Sequence, residues 1–221
     1  MHIGIIPDGN RRWARNSNAD IFNYWKSILE DLFYTKKILK KNHKYNFKYD
    51  ILNKYKNEIN EISLYLLSIE NFYRNDNTIN IVFELIKFLY SIYNQFKDDY
   101  DENERSKYGI FIYGQLDLLP PDIYNIINEM NNQNKDAIYK LHVAFLYDPK
   151  KDIERIVNDN HQSPIDLVIR TGGEKRSSGF FPYHILYSEW YYTDILWPEI
   201  NEDELKLAFE YYEKRCRRFG K

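Results

Sequence analysis

With 221 residues the chain has the length of one ordinary domain and is long enough to bury a core. Its formal charge of −2 gives no sign of a nucleic-acid binder and leaves room only for a local basic site. A single cysteine, Cys216, excludes an internal disulfide and a cysteine-cluster zinc site, and no apolar run approaches membrane-spanning length. The N-terminal stretch has no signal-peptide core, so the expected location is the cytosol or the cytosolic face of a membrane.

In chain order, the first informative stretch is HIGIIPDGNRRWA, His2 to Ala14. Ile3-Gly4-Ile5-Ile6 predicts a short buried strand, and Pro7-Asp8-Gly9-Asn10 predicts the turn that ends it. Arg11, Arg12 and Trp13 then open a helix. The polar, glycine-free stretch from Lys40 to Asn60 predicts a helix with a surface loop, its charges a solvated face. Further strands are predicted at Ile62–Leu67, Ile110–Tyr113, Leu141–Leu146 and Leu167–Ile169, with a sixth near Glu189–Tyr192. Between the second and third, Ile81, Leu85, Leu89, Ile92 and Phe96 mark one face of an amphipathic helix. Pro120-Pro121-Asp122 opens another helix, and Glu202 to Arg218 predicts a last one, with Gly220 as its C-cap. No repeat or linker interrupts the pattern. The expectation is a single α/β domain over residues 1–221, its central, mostly parallel sheet of about six strands surrounded by helices.

Three strand ends carry the chemistry. Alone, Pro-Asp-Gly-Asn is an ordinary turn. A helix starting with two arginines just past the carboxyl end of a strand, however, is where open α/β sheets hold anions. A carboxylate such as Asp8 is useful among phosphate oxygens if it holds a metal ion or handles a proton. The second stretch, LSIENFYR, puts Ser68, Glu70, Asn71 and Arg74 at the same sheet edge, although Ser-x-Glu-Asn also reads as a helix cap. In the third, Arg170 ends a strand, Thr171-Gly172-Gly173 turns closely, and Arg176 and Ser178 follow, a set suited to gripping a diphosphate. Glu189 is a further carboxylate that could hold a metal or orient an arginine. Together the residues imply two anionic ligands, with Asp8 bringing a hard cation such as Mg2+ to one of them. A nucleotide kinase would need G-x-x-x-x-G-K-[ST], which does not occur.

Taken together, HIGIIPDGNRRWA, LYLLSIENFYR, DLVIRTGGEKRSS…YSEWYYTDILWPE and the terminal RRFGK closely resemble, in order, the signatures of the cis-prenyltransferases, the undecaprenyl and dehydrodolichyl diphosphate synthase family. The resemblance runs nearly end to end, with residues 40–60 as an insertion. It implies a parallel sheet with a hydrophobic tunnel and a homodimer. It also implies Mg2+-dependent condensation of isopentenyl diphosphate with an allylic diphosphate, proton loss leaving a new cis double bond. By the same resemblance Asp8 handles Mg2+, and Gly9, Asn10, Arg12 and Arg74 hold the allylic diphosphate or assist catalysis. The first signature also takes in Arg11 and Trp13 as substrate-binding residues. Ser68 and Asn71 lie near the reacting centre, Arg170, Arg176 and Ser178 form the isopentenyl diphosphate site, and Glu189 is linked to metal binding. Arg218 and Gly220 match a motif that reaches into the neighbouring subunit. The lipid product implies peripheral association with a membrane surface, and no nucleic-acid partner is expected.

The chain also departs from the family pattern. Trp25 stands where a histidine is usual and Ile21 where an arginine is frequent, so Arg11, Arg15 or Lys26 are candidates to rebuild that diphosphate site. FLYDPKKDI lacks the usual Asn-Tyr-Gly-Gly run, and Gly179 replaces a common asparagine. Leu66 occupies a position that is small in long-chain synthases, and a bulky side chain there predicts a short or medium product. The alternative is a noncatalytic or weakly active partner subunit of a heteromeric enzyme. Asp8 and the Arg-x-Gly motif in one chain argue against it.

Overall fold

The computed structural model describes residues 1–33, 58–73, 78–99, 102–131, 136–158 and 162–217. All six predicted strands form. They are β1 (His2–Ile6), β2 (Glu61–Ser68), β3 (Tyr108–Tyr113), β4 (Tyr139–Tyr147), β5 (Leu167–Arg170) and β6 (Glu189–Tyr192). They build one sheet in the order β3-β4-β2-β1-β5-β6, parallel throughout. Strands buried on both faces need no polar alternation, which is why β1 and β5 read as continuous apolar runs.

Among the described residues the α-helices are α1 (Asn10–Ser17), α2 (Ile21–Phe33), α3 (Ile69–Phe72), α4 (Thr78–Asp99), α5 (Glu102–Arg105), α6 (Pro121–Asn131), α7 (Pro149–Asn158) and α8 (Glu202–Glu213). On one face of the sheet Ile3, Leu67 and Ile169 join Tyr24 and Trp25 of α2, Leu85 and Leu89 of α4, and Trp197 in a single core. On the other face Ile6, Tyr65, Tyr113 and Val168 pack under Phe180 and Phe181 of the loop after β5. Gly4 marks how tightly that loop sits: a Cβ there would lie 2.8 Å from the Phe180 ring and 3.2 Å from Ile165. α2 starts cleanly because the Asp20 carboxylate accepts from the amides of Phe22 and Asn23, at 2.8 and 3.3 Å.

The expected face of α4 holds at Leu85, Leu89 and Ile92, which are buried, and at Ile81, which packs partly buried on the same core and also lines a cleft. Val82 and Ile86 widen it, and the Phe96 side chain lies outside what the structure describes. The helix packs against both α2 and α6, which buries a broader face than one period of the pattern marks. One expectation needs correction. The last helix, expected to run to Arg218, ends at Glu213, and residues 215–217 are not helical; Arg218 and the expected C-cap Gly220 lie outside the described residues. Beyond the helix, Arg215 donates to Glu189 (3.0 Å), and Arg217 bonds Asp166 and the Tyr187 carbonyl, drawing the chain across the edge of the sheet. Most of the expected insertion at 40–60 lies outside the described residues.

Candidate active cleft

The connections after the adjacent strands β1 and β5 diverge, one toward β2 and the other toward β6. Such a switch point leaves a crevice at the carboxyl ends of the strands, where open α/β sheets take their ligands. Asp8 and Arg170 face each other in it.

Asp8 is fixed at its backbone. Its carbonyl accepts from Thr171 Oγ1 (2.9 Å) and from the Trp197 amide (3.0 Å). One carboxylate oxygen accepts from the Gly9 amide (2.7 Å), the other from Arg170 Nη2 (3.0 Å). Arg170 is nearly inaccessible, and its Nη1 donates to the Arg176 carbonyl (2.5 Å) and Ser178 Oγ (2.8 Å). Arg12, half exposed, reaches back to the Gly172 carbonyl (2.6 Å) and stands 4.0 Å from Asp8. The turn between them requires glycine: Gly172 has φ +80°, and a Cβ there would lie 2.7 Å from the Arg12 guanidinium. Ser178 adopts a left-handed φ of +51°, a strained choice for serine that turns its carbonyl to the Tyr65 hydroxyl (3.0 Å). Burial, reinforced by the charge of Glu70, pushes the Tyr65 phenol up to about 12, so it stays a donor.

The crevice continues into a cleft of about 1480 Å3. One part is lined by Asp8, Gly9, Asn10, Arg11, Arg12, Arg15, Asn18, Ser68, Glu70, Asn71, Arg170, Arg176 and Ser178. The other is apolar, lined by Ile21, Trp25, Leu66, Leu67, Ile81, Val82 and Leu85. Trp25 is held in that wall by stacking on Trp197, with 6.3 Å between ring centroids. Buried polar atoms without a partner, Asn10 Oδ1 and Arg170 Nε, border the polar part. Ser68 occupies the N-cap position of α3, but its side chain makes no cap bond, so the plain capping reading does not hold.

The sheet therefore gathers most of the predicted residues, but not all. Trp13 packs on Tyr24, at 5.1 Å between centroids, and does not line the cleft. Lys26 sits over the Phe88 ring (4.9 Å) and is likewise absent from the lining. Glu189 is at the amino end of β6, level with Leu167, whereas Asp8 lies past the carboxyl end of β1; parallel register keeps the two carboxylates apart. Glu189 instead holds Arg215, the second role considered for it. Arg74, Arg218 and Gly220 lie outside the described residues. Tyr65 was not anticipated; Thr171 was read only as part of the close turn, not as the donor that holds the Asp8 carbonyl.

The donors around Asp8 suit a hard cation. Mg2+ is commonly held by one or two carboxylates together with substrate phosphates and water, and Asp8, in a cleft that Glu70, Glu174 and several arginines also line, matches that pattern. A different group has metal-ligand spacing, at the opposite end of the sheet: His2, Glu61 and His142. Its imidazoles are poor ligands for Mg2+. Burial holds His2 down to about 4, with the neighbouring His142 lowering it further. For Glu61, burial opposes ionisation, but the hydrogen bond to His142, the proximity of His2 and the Ser163 amide outweigh it and hold the carboxyl at about 2.

One cleft thus brings arginines and apolar side chains together at the carboxyl edge of a parallel sheet. Comparison with known proteins supplies the family. A family model described as "Putative undecaprenyl diphosphate synthase" matches residues 6–162 and 151–220. An isoprenyl transferase of Fusobacterium nucleatum is 32% identical over 241 residues, covering 99% of this chain and 95% of that protein. A ditrans,polycis-undecaprenyl-diphosphate synthase ((2E,6E)-farnesyl-diphosphate specific) of Buchnera aphidicola is 32% identical, covering 99% and 90%. The crystal structure of lavandulyl diphosphate synthase from Lavandula x intermedia, in complex with dimethylallyl diphosphate, superposes with a TM-score of 0.66 at 21% identity, covering 100% and 98% of the two chains. The chain belongs to the undecaprenyl diphosphate synthase family, the cis-prenyltransferases. Among the described residues no helix is long and apolar enough to cross a membrane.

Proposed function

We propose that the protein condenses isopentenyl diphosphate with an allylic diphosphate to give a cis-polyprenyl diphosphate of short or medium length. The observation that carries this reading is the Asp8–Arg170 pair at 3.0 Å, which lines the same cleft as Ile21, Trp25, Leu66, Ile81, Val82 and Leu85. Asp8 would hold Mg2+, which when bound neutralises diphosphate charge and eases departure of the allylic leaving group. Arg12, the Gly9–Asn10 turn and the α1 N-terminus hold the allylic diphosphate. Arg11 and Arg15, which line the same part of the cleft, serve in place of the polar groups absent at Ile21 and Trp25. Arg176 and Ser178 receive isopentenyl diphosphate, with Arg170 holding both the Ser178 hydroxyl and Asp8. Ser68 and Asn71 flank the reacting carbons.

In the reaction the allylic C–O bond breaks and a C–C bond forms from the terminal alkene carbon of isopentenyl diphosphate. A proton then leaves to create the cis double bond. The growing chain extends along Ile81, Val82 and Leu85, where the Leu66 side chain limits its depth. The active form is a homodimer completed by Arg218 and Gly220, with peripheral contact to a membrane surface through its product. Intact Asp8 and Arg170 favour this over a noncatalytic partner subunit.

The test is incubation of the purified protein with isopentenyl diphosphate, Mg2+ and allylic primers of several lengths, with products resolved by size. Condensation with at least one primer is expected, and Asp8→Ala abolishes it while the fold melts cooperatively. No condensation with any primer would support the partner-subunit reading, and full turnover in Asp8→Ala would refute the role given to Asp8.

A further inference from the structure

His2 and Glu61 are Cα partners across β1 and β2, and Ser63, two residues on, is opposite His142 of β4. Parallel register therefore stacks two imidazoles and a carboxylate side by side at the amino end of the sheet. The group lies at the opposite end of β1 from Asp8, about 13 Å from His2 to Ile6 along the strand and then a turn. His2 and His142 are 2% and 0% exposed, and the Glu61 side chain is 14% exposed, leaving a route from solvent.

The distances are those of a ligand set. Glu61 Oε2 is 3.0 Å from His142 Nε2 and 3.7 Å from His2 Nδ1, and one ligand atom from each of the three residues falls within 4.8 Å of the others. Donors around a tetrahedral Zn2+ stand roughly 3.3 Å apart, given bonds of about 2.0 Å. The far side of each ring is equally prepared. His2 Nε2 is 2.9 Å from Ser63 Oγ, and His142 Nδ1 is 2.8 Å from the Tyr113 hydroxyl. In the metal-free chain the Ser163 carbonyl, which can only accept, takes the Nδ1–H of His2. Binding a cation at His2 Nδ1 and His142 Nε2 moves the remaining N–H of each ring to the side of the Ser63 and Tyr113 hydroxyls, which can accept it. The Ser163 carbonyl oxygen, 2.9 Å from His2 Nδ1, is at the distance of a fourth ligand.

We propose that His2, Glu61 and His142 form a structural binding site for a borderline divalent transition cation of the Zn2+ type, separate from the catalytic cleft. Two neutral imidazoles and one carboxylate select such ions over Mg2+ and Ca2+. The cation ties β1, β2 and β4 together at the end of the sheet opposite the chemistry. The competing arrangement is a metal-free network in which His142 and the Ser163 amide donate to Glu61.

Protein stripped with a chelator is titrated with Zn2+ in competition with a chromophoric chelator, and separately with Co2+ while the visible spectrum is recorded. The site predicts one Zn2+ per chain, a strong Co2+ band of tetrahedral type that Zn2+ displaces, and Zn2+ binding in Asp8→Ala equal to that of the unsubstituted protein. Glu61→Gln and His142→Asn each weaken binding at least tenfold, and Ser63→Ala weakens it by about 10- to 100-fold. Because core variants can fail to fold, histidine side-chain 15N resonances of the unsubstituted protein give an independent reading. Two of the five imidazoles shift on Zn2+ addition if the site forms. Absence of stoichiometric binding, only octahedral Co2+, unshifted imidazoles, or Zn2+ affinity lost in Asp8→Ala but kept in Glu61→Gln would overturn it.

Discussion

The two ends of the sheet use the same kinds of residue to opposite effect. At the carboxyl end, Asp8 and Arg12 are partly exposed, Gly9, Gly172 and Ser178 hold left-handed backbone, and charge is concentrated toward open space. At the amino end, His2, Glu61, His142 and Ser63 lie under cover, each within hydrogen-bonding distance of another. Strained turns and exposed charge mark the place where a ligand is to be bound. Closely fitted polar groups mark the place where strands are to be held. A carboxylate's partners, not its identity, tell the two apart.

This contrast can be broken in order of expected effect. Replacing Arg12 by alanine removes a charge-assisted contact at the open end. Condensation measured as kcat/KM should fall about 10- to 100-fold, with little change in melting temperature. Equal loss of activity and stability would erase the distinction between the two ends.

Acid should act at the other end. His184, buried beside Ile165, is held down to about 4, burial being the largest cause. The unfolded chain takes up that proton near pH 6.5, so its contribution to stability is complete above pH 6.5 and is lost as pH falls toward 4. His2 acts in the same direction. Melting temperature recorded from pH 7 to 4 should therefore fall, and His184→Gln should flatten part of the slope. A slope unchanged in that variant would show that His184 titrates normally.

Gly4→Ala tests packing between the two ends. Its Cβ would meet Phe180 at 2.8 Å, so stability should drop by about 1–3 kcal/mol in denaturant melts, while kcat of the folded protein is retained. The smallest effect on rate, but the most visible on product, belongs to Leu66→Ala. Opening the apolar wall should lengthen products without changing the primer used, and an unchanged chain-length distribution would remove Leu66 from that role.

Much of this was legible in the residues. Apolar runs marked β1 to β5, because a parallel sheet covered on both faces needs apolar residues throughout, while the edge strand β6, Glu-Trp-Tyr-Tyr and only partly buried, was marked less clearly. The three strand-end stretches were also legible, since turns that approach phosphate need glycine and arginine at short spacing. Other features were not. Nothing local to Trp13 says that it packs on Tyr24 and not into the cleft, and nothing local to Glu189 says which end of the sheet its strand presents. The pairing of His2 with Glu61 and His142 spans 140 residues and depends on strand order.

The sequence by itself determined the six strands and the chemistry available at each strand end, because periodicity and turn chemistry are properties of neighbouring residues. Tertiary structure alone decided which strand ends share a crevice, that Arg170 holds Asp8 and Ser178 together, and that Glu189 lies on the far edge with Arg215. Those outcomes depend on the order and register of six strands, and register is fixed only when both faces of the sheet pack at once.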